Sequence, residues 1–221
     1  MMRALEQILA KVNNWAQFEQ AAAALGPKQQ GDLFELLTKH YLRLSPVYRT
    51  VLSHVWLLEE VPQKACAALK LPASDKGIDL IAKTKSGEYL AIQCKYRTDK
   101  KRSLSWRELS TFTGLAFSVC RGIAHALVAH TGERYTNVLK EAEHVSFLSG
   151  EKWGTLEPDF FAVLRDDLAS FIRRSDRFER GARSVDRVDG CFTTERFGTR
   201  WRLLGLGSAR HLAASVMGPA R

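Results

Sequence analysis

No stretch of the 221 residues approaches the roughly 18 consecutive apolar residues that a membrane-spanning helix requires. The opening Met1-Met2-Arg3-Ala4-Leu5-Glu6-Gln7 lacks the long apolar core and small-residue cleavage site of a secretory signal. A cytoplasmic location without membrane contact is therefore expected. The four cysteines, Cys66, Cys94, Cys120 and Cys191, lie far apart and form no C-x-x-C pair. That argues against a zinc site built on them and, in a reducing compartment, against disulfides. The six histidines show no metal-ligand spacing, and there is no internal repeat, low-complexity tract or Walker motif.

What is present is ordinary for a globular chain: 45% hydrophobic and 26% charged residues, and enough length to bury one sizeable core. The charge is not ordinary. Thirty-three Lys and Arg against twenty-four Asp and Glu give +9, an excess that favours polyanionic partners, nucleic acid first. The excess is uneven: the last 51 residues hold eleven Arg, five acids and no Lys, so the composition changes near residue 172. Three regions are expected: N-terminal helices over 1–27, a main domain over 28–174, and an Arg-rich, poorly patterned tail over 175–221.

Apolar spacing predicts short helices over 3–12 and 14–25 and a longer one over 28–44, with Leu33, Phe34, Leu36, Leu37, Tyr41 and Leu44 on a broad stripe. Residues 50–58 read equally as a strand or a buried helical turn. Residues 77–83 and 88–96 read as antiparallel strands joined through Lys85-Ser86-Gly87. Ser105-x-x-Glu108 has the capping-box spacing and opens a helix to about Cys120, with Trp106, Leu109, Phe112 and Val119 facing inward. Strands over 125–130 and 144–147 and a helix over 158–173 follow. A helix between hairpin and next strand implies a crossover, hence an α/β fold with a mixed central sheet flanked by helices and a helical N-terminal part.

The hairpin gathers polar groups at one end. Alternation puts Gln93 and Lys95 on one face of the second strand and Leu90, Ile92 and Cys94 on the other. The far end of that strand lies beside the start of the first, where Asp79 is. A carboxylate beside a lysine suits phosphodiester hydrolysis, in which a hard Mg²⁺ ion takes oxygen ligands and the lysine offsets transition-state charge. One carboxylate is little for a metal, and Glu35, beside the apolar stripe of the third helix, is the candidate second. Each has a plain structural alternative: Asp79 as a strand cap or partner of Lys76, Gln93 and Lys95 as a solvated face, Glu35 as a surface helix residue.

In combination, Gly31-x-x-Phe34-Glu35, Gly77-Ile78-Asp79 and Gln93-Cys94-Lys95 resemble the PD-(D/E)XK nuclease superfamily, and more narrowly its Mrr-like restriction endonuclease branch, in which Gln-x-Lys replaces Glu-x-Lys. The resemblance covers roughly residues 28–150, with Gly77–Lys95 its specific part, and extends to the N-terminal nuclease module of large single-chain restriction-modification enzymes. It implies a restriction-endonuclease-like fold and a Mg²⁺-dependent DNA endonuclease, with Mn²⁺ as a substitute. By the same resemblance, Asp79 is the principal metal ligand and Glu35 an accessory one. Gln93 stands at the second acidic position, the Cys94 backbone carbonyl completes the coordination, and Lys95 is the catalytic lysine. Gln93 brings no charge, which makes Glu35 more important.

The basic run after the site supplies Arg97, Lys100, Lys101 and Arg102 as candidate phosphate contacts. Expected partners are double-stranded DNA, helicase or methyltransferase modules, and a second copy of the chain. Competing readings are a catalytically inactive DNA-binding module and a truncated nuclease subunit dependent on such modules.

Overall fold

Alternation of apolar side chains over residues 80–95 produces the expected hairpin. The computed structural model describes residues 2–72, 77–136, 139 and 142–170. Strands β2 (Leu80–Thr84) and β3 (Tyr89–Lys95) pair antiparallel, with Leu80 opposite Ile92. The undecided run resolves as a short helix, α4 (Pro46–Val51), followed by β1 (Leu52–Leu57), which pairs antiparallel with β2. Pro46 occupies the first helical turn, where a missing amide costs nothing. On the other side of β3, β4 (Ile123–His130) and then β5 (Val145–Leu148) add in parallel, giving the order β1-β2-β3-β4-β5 in a mixed sheet. The parallel β3–β4 pair needs the expected crossover, and α6 (Trp106–Gly114) supplies it.

Helices α1 (Met2–Leu9), α2 (Trp15–Ala23) and α3 (Pro27–Leu44) cover one face of the sheet. A short helix, Gly150–Gly154, and a helix over 158–170 complete that layer. Leu80, Ala82, Leu90, Ile92, Leu127 and Ala129 pack there against Phe34, Leu37, Trp153 and Phe161. Ile81, Ala91, Ala126 and Val128 point to the other face, beneath α6 and α5 (Gln63–Leu69). Phe34 is wholly buried, with ring centroids 5.1 Å from Trp153, 6.1 Å from Tyr96 and 6.5 Å from Phe18. This cluster binds α2, α3, the segment after β3 and helix 150–154 into one unit.

The helix expected through Cys120 departs from its pattern. It widens into a π turn over Leu115–Val119, with the Cys120 N–H donating to the Leu115 carbonyl at 2.8 Å. The wider turn rotates the helix end, so Cys120 is buried and Val119, expected inward, is exposed. Trp106, also expected inward, is 44% exposed because the wholly buried Leu104 fills that end of the core. The Arg-rich tail and the end of the 158–173 helix lie outside the described residues.

Two backbone approaches hold the C-terminal ends of the central strands. The Gly150 N–H donates to the Gly132 carbonyl at 2.8 Å, and a Cβ on Gly150 would meet the Thr131 carbonyl oxygen at 2.5 Å. Beside that loop His130 is wholly buried, and neither ring nitrogen has a hydrogen-bond partner. Burial first, and the nearby Arg97 second, lower its pKa to about 4.

Gly150→Ala should destabilise the fold by about 1–3 kcal/mol, the cost of overpacking against backbone that cannot give way, measured by denaturant titration. The His130 shift sets a pH window. The unfolded imidazole takes its proton near pH 6.5 and the folded one only near 4, so stability should hold above 6.5 and fall by roughly 3 kcal/mol between those values. His130→Phe should melt at or above the wild-type temperature at pH 7 and lose that component of the decline, because it removes a buried group with unmade hydrogen bonds.

Candidate functional site

Asp79 stands just ahead of β2, where the chain is tied to both neighbours. Its N–H donates to the Ile92 carbonyl and its own carbonyl accepts the Leu58 N–H, each at 2.9 Å. Its carboxylate Oδ2 accepts the Cys94 N–H at 2.5 Å. The side chain is therefore held across the start of β2 and the end of β3, as the hairpin geometry implied. Two residues upstream, Gly77 has φ +105°, and a Cβ there would stand 3.0 Å from the Gln93 amide nitrogen. Only glycine permits both this backbone conformation and this approach.

Glu35 joins Asp79 from above, on the third turn of α3. Burial pushes the Cys94 thiol well up from its ordinary pKa, and the negative fields of Asp79 and Glu35 push it further; the Thr38 hydrogen bond and the Lys95 charge act in the opposite direction. The thiol thus reports both carboxylates close to the end of β3. Both also line a cleft of about 860 Å³ together with Asp32, Glu59, Lys28 and Lys70. Four carboxylates against two lysines leave this cleft negative.

Asp32 carries no part of the motif that pointed to Glu35. It precedes Glu35 by three residues and so shares its side of α3, and its Oδ2 is buried without a hydrogen-bond partner. The i, i+3 spacing of Asp32 and Glu35 was the available signal. Glu59 carried no such signal, because the 3₁₀ turn Leu58–Glu60 that presents it has no periodic pattern.

Gln93 and Lys95 share a face, as alternation requires, and that face turns toward α6. Gln93 is 2% exposed; its amide nitrogen lies against Gly77, and its Oε1 has no hydrogen-bond partner. Neither Gln93 nor Lys95 is among the residues lining the cleft that holds Asp79 and Glu35. Lys95 is partly buried at the end of β3, opposite His130 of β4.

The basic run divides. The Arg97 guanidinium is bonded to Glu108 at 2.5 Å, and Lys100 pairs with Glu19 at 2.9 Å above the Tyr96 ring. Lys101 is exposed, and so is Arg102, whose guanidinium lies 3.6 Å from the same Glu108 carboxylate. Glu108 also accepts the Ser105 N–H at 3.0 Å and hydroxyl at 2.8 Å. Burial alone would raise its pKa, but these bonds and Arg97 hold the carboxyl at about 2. The capping-box residues thus anchor the loop that follows Lys95 to the first turn of α6.

The donor set fits a hard divalent cation. Asp79 and Glu35 offer carboxylate oxygens in one cleft, and Asp32 adds an oxygen with no other use inside the protein. Among the described residues no three His, Cys, Asp or Glu side chains converge closely enough to hold a metal by themselves. Among the described residues no helix is long and apolar enough to cross a membrane.

Known proteins share the part of the chain that holds the hairpin. A family model described as restriction endonuclease matches residues 43–150, which contain Asp79, Gln93, Cys94 and Lys95 but not Glu35. No curated protein sequence matches the chain. Among solved structures, the chain is similar to the ATP-dependent Type ISP restriction-modification enzyme LlaBIII bound to DNA, at 22% identity and a TM-score of 0.47. The match covers 62% of this chain and 8% of that one, so the chain spans a small fraction of that enzyme's length.

Asp79→Asn and Glu35→Gln should each weaken Mn²⁺ binding in titration calorimetry by at least the roughly tenfold that loss of an outer-shell partner causes, with the melting temperature nearly preserved. Unchanged binding in both variants would remove the metal from this cleft.

Proposed function

We propose that this chain, whose residues 43–150 match the restriction endonuclease family, hydrolyses DNA phosphodiester bonds as a Mg²⁺-dependent endonuclease in the restriction of foreign DNA. The observation that carries the reading is the meeting of Asp79 and Glu35 around Cys94 in a negative cleft, with Lys95 the next residue on β3. Asp79 reaches that position through the Cys94 amide rather than through a flexible loop, so its carboxylate is preorganised.

Asp79, Glu35 and the Cys94 backbone carbonyl hold the cation, and Mn²⁺ can take the place of Mg²⁺. The cation, when bound, supplies Lewis-acid polarisation of the phosphoryl group. Gln93 stands at the second acidic position of the motif as an uncharged amide, buried and outside the cleft. Lys95 orients the attacking water and offsets charge as it develops on the phosphoryl oxygens. Lys101 and Arg102 contact flanking phosphates, while Arg97 and Lys100 act from their ion pairs by shaping the loop between β3 and α6. Double-stranded DNA is the substrate; helicase or methyltransferase modules and a second copy of the chain are the partners of this reading.

The neutral amide of Gln93 favours one alternative, a DNA-binding module without catalysis. A plasmid-nicking assay separates the two. Wild type should cleave with Mg²⁺ or Mn²⁺ and stop in EDTA, and Lys95→Ala should cleave roughly 10²–10³ more slowly with only a modest loss of affinity. Equal cleavage by both would refute the role of Lys95. A wild type that binds DNA and never cleaves would leave the binding module.

A further inference from the structure

Alongside α3, the negative cleft has a positive counterpart. A second hollow, of about 570 Å³, is lined by Lys39, Arg43, Arg49, His54, Trp56 and Glu60, with apolar residues at its floor. Glu35, Lys39 and Arg43 follow one another at four-residue intervals, so one side of α3 passes from carboxylates to cations within two turns. The opposite wall is continuous as well: β1 lines the positive hollow, and Leu57, Leu58 and Glu59, at and just beyond its end, line the negative one. Three cations against one carboxylate face the second hollow, where four carboxylates against two lysines face the first.

The cations are placed to be used. Arg43, Arg49 and His54 are exposed, and His54 stacks on Trp56 with centroids 5.0 Å apart and planes 11° from parallel. Carboxylates from neighbouring elements reduce the field without cancelling it. Glu60 pairs with Lys39 at 2.6 Å, Asp167 lies 3.6 Å from Arg43, and Glu6 lies near Lys39. No carboxylate pairs with Arg49 among the described residues, and Arg49 makes the outer end of the hollow cationic.

We infer that the α3–β1 groove lined by Arg43, Arg49 and His54 binds the DNA sugar-phosphate backbone beyond the cleaved bond, leading one strand away from the Asp79 cleft. The inference rests on the nuclease reading and adds a contact surface separate from Lys101 and Arg102. The ligand chemistry follows from the lining: guanidinium groups and an imidazole suit phosphate oxygens, and the His54–Trp56 stack offers a flat surface to a sugar or base. Lys39, one turn of α3 beyond Glu35, pairs with Glu60 on the lining of the positive hollow.

The test is binding of fluorescent duplexes to the full chain in EDTA across a salt series, by anisotropy. The double reversal Arg43→Glu and Arg49→Glu should weaken binding at low salt. It should also make the slope of log affinity against log salt shallower by about 0.9 for each phosphate that is no longer neutralised, close to two in all. Arg49→Lys should keep the wild-type slope, and Arg49→Glu alone, at an exposed position outside the Arg43–Asp167 pair, covers the case in which the double variant fails to fold. Wild-type affinity and slope in Arg49→Glu and the double variant would overturn the groove while leaving the nuclease reading intact if wild type cleaves. A wild type with no salt-dependent duplex affinity and no cleavage would overturn both.

Discussion

Burial of β3 on both faces is the constraint from which the site follows. The strand lies between an antiparallel partner and a parallel one, with helices above and below, so the direction of each of its side chains is decided by which layer it enters. Leu90 and Ile92 enter the layer of α3, and Cys94 ends the strand against the same layer, within the field of Glu35. Ala91 and Gln93 enter the layer of α6. The Cys94 amide, left without a strand partner where β2 has not yet begun, is satisfied by the Asp79 carboxylate. One hydrogen bond thus completes the end of the sheet and aims an acidic group into the cleft, and a buried amide left without it would cost about 1–3 kcal/mol.

The same geometry accounts for glutamine at position 93. At 2% exposure and against Gly77, a carboxylate would lose its hydration. An amide tolerates that environment at much lower cost. The carboxylates of the cleft come in part from α3, where Glu35 and Asp32 line it beside Asp79.

The strand ends beyond the site are closed by packing that tolerates little change. Gly150 touches the backbone that follows β4, Thr131 exchanges hydrogen bonds with Arg97 at 2.7 and 3.0 Å, and Glu108 fixes Arg97 and Ser105 together. Lys95 emerges from the middle of this frame, with the neutral imidazole of His130 across the parallel pair. A second positive charge at His130 would stand beside Lys95 and Arg97, and burial keeps it neutral near pH 7.

The hairpin, the crossover helix and the meeting of Asp79 with the end of the second strand were legible in the sequence, because alternation and helical spacing are local properties and pairing within one hairpin is nearly so. Glu35 was legible only as a candidate, since nothing within α3 says which of its faces meets the end of β3. The tertiary structure alone decided that Gln93 is buried away from the cleft, that Asp32 and Glu59 join it, that Arg97 and Lys100 are held in ion pairs, and that Trp106 and Val119 lie outside the core. Each of those outcomes depends on how distant segments fill the same volume: Leu104 taking the space open to Trp106, a π turn moving Cys120 inward, a carboxylate from α2 or α6 reaching a basic loop. Periodicity along one segment determines which way its side chains point, and packing between segments determines what they meet.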